Sequence, residues 1–269
     1  MIKVSRRAVV STAAVALAVS AVLILIVVRV LTQTTNSSAS PVGIPGSWHR
    51  VWSDDFSGSA LDTTKWSTGW FGSGVTAPVN TAEIGCYDPA QVAVSGGNLN
   101  LTAIAKAQTV NGKLYPYTSG LVSTMDTFSF TYGVLEARIY LPGAEAKIAN
   151  WPAFWANGTG ASPASGELDV MEGRGGAATY HFHATAGSSG GIVPGDFTGW
   201  HTYAADWQPG VVTYYYDGKK VGQITSGITA GPMYLILNYG IGTYGGPIST
   251  PATMRVDYVR VWKSGTSRG

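Results

Sequence analysis

From Trp48 to Lys263 the chain shows no helical periodicity. It is a succession of short Val, Ile, Tyr, Phe and Thr runs separated by turn residues. A chain patterned this way can bury an apolar face only by pairing strands. Asn98–Ala103 (NLNLTA) alternates polar with apolar, as does Met254–Trp262 (MRVDYVRVW). Asn111-Gly112 and Asp217-Gly218 have hairpin-turn chemistry, because both positions tolerate positive φ. The second pair lies between the strand-like runs Val211–Tyr216 and Lys220–Ile224. Many such strands predict an all-β fold: one two-sheet antiparallel β-sandwich of jelly-roll type spanning residues 47–264, followed by a short tail, 265–269.

Composition narrows the function. Only 12% of residues are charged, while Gly (35), Tyr (14) and Trp (9) are plentiful, which excludes a disordered chain. Of the 17 Lys and Arg, Lys3, Arg6, Arg7 and Arg29 lie near the N-terminus, leaving 13 against 15 acidic residues. No basic cluster remains to follow a phosphate backbone, so nucleic acid is not expected as a partner. Cys86 is the only cysteine, so there is neither an intrachain disulfide nor a cysteine-rich zinc site.

Residues 8–28 carry no charge and are mostly Ala, Val, Leu and Ile, long enough to cross a membrane as a helix. The segment 8–31 is therefore expected to be a transmembrane signal-anchor or a signal peptide, behind a basic cytoplasmic segment, 1–7. Residues 32–46, rich in Ser, Thr, Asn, Pro and Gly, have linker composition. The folded domain is then expected outside the cell, tethered or secreted. A bacterial, Gram-positive-like setting suits export without disulfides.

Glu167, Asp169 and Glu172 concentrate three acids within six positions of a charge-poor chain. In a strand, Glu167 and Asp169 share a face and Glu172 points away. One extra residue, accommodated as a β-bulge at Val170-Met171, returns Glu172 to that face. Two glutamates about four strand positions apart can lean together to roughly 5–6 Å, the separation of a retaining glycosidase. Crowding should also raise at least one of the three pKa values. The alternative is a solvated strand face. Against it stand the aromatic run Trp151–Trp155 just upstream and the glycines at 166 and 173.

The pattern resembles glycoside hydrolase family 16, the clan of laminarinases, lichenases and agarases. The resemblance is carried by Asp54-Asp55-Phe56, Leu61–Trp66, Gly97–Ala103, Thr118–Gly120, Tyr132–Arg138, Trp151–Trp155, Gly166–Glu172, Trp200–Trp207 and Val256–Val261. The bulged form is closer to the laminarinase-like branch. The resemblance implies Glu167 as nucleophile, Glu172 as acid/base and Asp169 as the residue that tunes them. It also implies a sandwich with a concave substrate cleft, internal cleavage of a β-linked polysaccharide, most of all a β-1,3-glucan, and no cofactor for the chemistry. A structural calcium partly held by Asp257 is a further implication. The chain is expected to be a monomer. One departure is plain: the loop Asn157–Ser165 lacks the Trp-Pro that laminarinases carry just before the catalytic Glu.

Around that strand, His181 and His183 alternate in Thr179–His183 and share a face, where an imidazole can serve the acids or a sugar hydroxyl. A zinc site would also use two His and acids, but zinc activates water directly and has no need of the two-glutamate spacing. Sugar rings present apolar C–H faces. Trp70 and Phe71, in a Gly-rich loop, together with Trp151 and Trp155, are therefore candidate platforms. Glu83 and Tyr87 fall in a segment resembling the family's cleft edge, and Arg138 in another of its blocks. All three are counted as substrate-binding candidates. A transglycosylase would use the same machinery, and a lectin-like binding module would keep the aromatics without needing both glutamates.

Overall fold

The computed structural model describes residues 40–162 and 164–265. The expected membrane segment lies outside the described residues. Packing begins earlier than residue 47. Ile44 is buried with Val134, Ala204 and Trp262, and the Val42 N–H donates to Glu136 Oε2 at 2.7 Å. Two residues of the segment read as linker, Val42 and Ile44, are therefore fastened to the domain.

The domain is a sandwich of two antiparallel sheets. One has seven strands in the order 187–193, 177–184, 167–174, 151–158, 233–240, 121–123 and 67–68. The other runs 219–224, 211–216, 199–208, 133–141, 252–264, 98–103 and 92–95, with Trp48–Asp54 pairing on Ala252–Ser264. The alternating segment Asn98–Ala103 is one strand, with Leu99, Leu101 and Ala103 fully buried. Both expected hairpin turns form, with positive φ at Asn111 and Gly112 and at Asp217 and Gly218. Among the described residues the helical content is a single 3-10 turn, Pro89–Gln91.

The core is filled from both sheets. Leu168, Val170, Met171, Phe154 and Leu237 meet Trp207, Tyr214, Tyr216, Val256 and Val259 in one cluster. The acid-rich strand Glu167–Arg174 is the third strand of its sheet, flanked by Trp151–Gly158 and Ala177–Ala184. It is thus held on both edges and backed by the other sheet.

Candidate active site

The strand Glu167–Arg174 breaks register on both sides. Trp155 pairs with Asp169, yet its neighbour Phe154 pairs with Met171. On the other edge Asp169 pairs with His181 and Glu172 with Thr179. The extra residue therefore sits at Val170-Met171, and both of those side chains are fully buried in the core. With the slip, Glu167, Asp169 and Glu172 all leave by the opposite face. A bulge leaves backbone groups without ladder partners. Here the Tyr216 hydroxyl, reaching across from the other sheet, lies 2.9 Å from the carbonyls of both Val170 and Thr179. Tyr214 does the same for the His181 carbonyl at 2.8 Å.

Two histidines divide the acids between them. His181 Nδ1 is 2.8 Å from Glu172 Oε2, and Trp151 Nε1 donates to Glu172 Oε1 at 3.1 Å. His183 Nε2 lies 3.0 Å from Asp169 Oδ2 and 4.0 Å from Glu167 Oε1, while its Nδ1 pairs with the Ser188 hydroxyl. The Asp169 contact is close but off the hydrogen-bonding line, so that buried oxygen has no aligned donor. Gly190 stands opposite His181 on the edge strand 187–193. A Cβ there would lie 2.1 Å from His181 Cδ2.

Burial and mutual repulsion set the protonation pattern. Asp169 is pushed well above the usual carboxylate range, chiefly by burial and then by the charges of Glu172 and Glu167. Burial also raises Glu167, opposed by His183. Glu172 is pushed up by burial as well, but the His181 hydrogen bond and charge, Arg174 and Trp151 together outweigh it and hold it low. Burial and the neighbouring carboxylates thus favour protonation at Asp169 over Glu172. The expected rise is present, but on Asp169 and Glu167 and not on the acid/base candidate.

Asp169, Glu172, His181 and His183 also offer four donor atoms within 4.8 Å of one another, the composition of a divalent-metal site. They already form two acid–imidazole pairs.

Aromatic rings border the acids on two sides. Trp155 meets Trp70 at 5.7 Å, and Trp70 meets Phe71 at 5.6 Å. Phe71 is 69% exposed and held at φ 48, an uncommon backbone for an aromatic residue. Beyond Glu172, Trp151 packs edge-on to Tyr244, over which the Arg174 guanidinium lies at 5.1 Å.

Some candidates are placed elsewhere. Arg138 belongs to the other sheet, where it pairs with Asp257 at 2.9 Å and lies over Trp200. It does not join the acid cluster. Its strand, Gly133–Leu141, alternates so that 138 emerges on the side away from the shared core. The same contact bears on calcium, since a cation at Asp257 would compete with a guanidinium. Glu83 and Tyr87 are buried, and the Tyr87 hydroxyl donates to Glu83 Oε2. Asn238, Arg174, Ser188 and Tyr244 were not singled out from sequence. A signal existed for two of them. Asn238 is the lone amide in the apolar run Met233–Gly240, and once the bulge is allowed Arg174 falls on the same face as Glu172.

The model of glycosyl hydrolases family 16 matches residues 87–260. The chain belongs to this family. Among curated relatives, this family-16 chain is 33% identical over 258 residues to glucan endo-1,3-beta-glucosidase A1 of Niallia circulans, covering 79% of this chain and 37% of that protein. It is 30% identical over 240 residues to a keratan-sulfate endo-1,4-beta-galactosidase of Sphingobacterium multivorum, covering 79% of this chain and 54% of that protein. The chain thus spans between about a third and a half of the length of these relatives. The endo-beta-1,3-glucanase structure from Pyrococcus furiosus superposes with a TM-score of 0.70 at 28% identity, covering 84% of this chain and all of that one. The all-β sandwich is shared between them.

Proposed function

We propose that this family-16 domain is a retaining endo-glycosidase that cleaves internal bonds of a β-1,3-glucan. The observation that carries the reading is the bulge at Val170-Met171, which puts Glu167 and Glu172 on one face with Asp169 between them. Two glutamates flanking a sugar this way suit double displacement. The Glu167 carboxylate attacks the anomeric carbon as Glu172 gives a proton to the departing glycosidic oxygen, which leaves as an alcohol. The product is a glycosyl ester on Glu167. The proton that Glu172 gives up is the one the cluster holds: as Glu167 is neutralised, a charge that raises Asp169 is lost and Asp169 passes its proton on through Glu172, to regain it when Glu167 is freed. Glu172 then takes a proton from water, and the hydroxide attacks the same carbon and frees Glu167.

The glucan choice follows the glucanase relatives. The loop without Trp-Pro and the galactosidase relative favour a second substrate, a β-linked galactan. We assign the active domain to the outside of the cell, tethered or released, on the strength of the apolar segment 8–28. The test is product analysis of the full chain on laminarin, lichenan, agarose, β-galactan and xyloglucan, with NMR of the first product. Internal cleavage of laminarin with the β-anomer formed first is the expected result. An α-anomer first would overturn the retaining chemistry. Cleavage of galactan alone would overturn the glucan, and sugar transfer dominating over hydrolysis would make it a transglycosylase.

A further inference from the structure

A run of hydrogen bonds leads away from the cleft into the protein. The Trp155 indole N–H donates to Asn238 Oδ1 at 2.8 Å. Asn238 Nδ2 donates to the Tyr87 hydroxyl at 2.9 Å, and that hydroxyl donates to Glu83 Oε2. Trp155 alone is partly exposed; the other three residues are buried. Gly240 leaves the space, since a Cβ there would come within 3.1 Å of Glu83 Oε2 and 3.3 Å of the Tyr87 oxygen.

The chemistry of the two ends gives the run a single direction. An indole nitrogen only donates, so Asn238 must turn its oxygen to Trp155 and its amino group to Tyr87. Tyr87, having accepted, must give its own proton away, and a carboxyl group accepts it. Each bond polarises the next, and an unmet buried partner would cost more than the bond is worth. At the outer end Trp155 is the inner ring of the Trp155–Trp70–Phe71 series, directly opposite Asp169 in the sheet.

We propose that Glu83, Tyr87 and Asn238 are positioning residues that fix Trp155 as a sugar platform beside the acids, without touching substrate themselves. The inference rests on the cleft being a glycan site. A ring fixed in advance binds a sugar face without losing rotational freedom on binding. The chain therefore acts on affinity and leaves the chemical step alone.

The experiment compares Tyr87→Phe, Glu83→Leu and Glu83→Gln with wild type on laminarin. Tyr87→Phe and Glu83→Leu should raise KM about 3- to 10-fold with kcat within about twofold, the signature of lost uniform binding. Glu83→Gln keeps an oxygen that accepts from Tyr87 and should bring KM back towards wild type. Val256→Ala, in the core of the other sheet, is the control for lost stability. An unchanged KM in Tyr87→Phe, or an equal rise in Val256→Ala, overturns the proposal. Calorimetric binding of a laminari-oligosaccharide to Glu167→Gln and to the Glu167→Gln, Tyr87→Phe double variant repeats the comparison without turnover. If the wild type cleaves no glucan yet Tyr87→Phe weakens this binding, the hydrolase reading fails and the positioning chain stands.

Discussion

His181 Nδ1 sits 2.8 Å from Glu172 Oε2, while the other oxygen of that carboxylate is taken by the Trp151 indole. The acid/base candidate is thus gripped at both oxygens. Burial pushes its pKa up and these partners push it lower than burial alone would allow. Replacing His181 by Ala removes the leading opposition to burial, so the Glu172 carboxyl should rise. The form that can donate a proton then persists to higher pH. The basic limb of the kcat/KM profile is expected to move upward, with maximal turnover lower by roughly tenfold, about 1.4 kcal/mol. A profile that only drops, with no lateral shift, would show that His181 does not set this titration.

Glu167→Gln and Glu172→Gln should each reduce kcat by a factor of hundreds or more, because the covalent and the acid/base steps are each worth that much. Both are near-isosteric changes on one strand face, so circular dichroism and melting temperature should stay close to wild type. Turnover near the wild-type rate in either folded variant would remove its catalytic assignment.

The bulge can be tested from behind. Tyr216→Phe deletes the hydroxyl that serves the carbonyls of Val170 and Thr179. A buried carbonyl left without a donor costs about 1–3 kcal/mol. Because this one belongs to the bulge, kcat should fall further than for a core variant of equal stability. Inserting one Ala between Val170 and Met171 shifts the strand by one residue and should turn Glu172 off the face, abolishing activity. An active, folded insertion variant would contradict the parity argument.

Glu83 gives a signature in stability. Burial raises its carboxyl from 4.5 to about 7. Between those values the folded protein holds a proton that the unfolded chain has lost, so stability falls as pH rises from 4.5 to about 7 and levels off above. This one buried group should contribute a loss of about 3 kcal/mol across that window. Glu83→Gln abolishes that slope, so the gap between variant and wild-type melting temperatures should widen over the same range. A constant gap would mean that Glu83 is ionised throughout.

Much of this was legible because strand periodicity is a local property. Asn98–Ala103 runs as its alternation demands, and Val211–Tyr216 forms the strand its β-branched and aromatic residues favour. The bulge could be located because three acids on one strand face were incompatible with an unbroken period of two. What the sequence hid is contact across elements. Tyr216 reaches the bulge from 46 residues away, and Asn238 reaches Tyr87 from 151 away. Neither has a local pattern. Ile44 was obscured by its Ser- and Pro-rich neighbours, since an apolar residue in such a run announces burial only when the surface it meets is known. Arg138 misled for the opposite reason, since a matching block fixes a residue in the fold without saying which sheet face it serves.

Gly190 has the last consequence. It touches neither acid, and what it supplies to the site is vacancy: the imidazole of His181 occupies the volume where any other residue would carry its first carbon. An alanine at that position would displace the ring, and the ring's shift would be felt at Glu172 before anything else. The edge of the sheet is therefore under the same steric restraint as its centre. A scan that replaced only the residues in contact with the carboxylates would pass over the position that makes their arrangement sterically admissible.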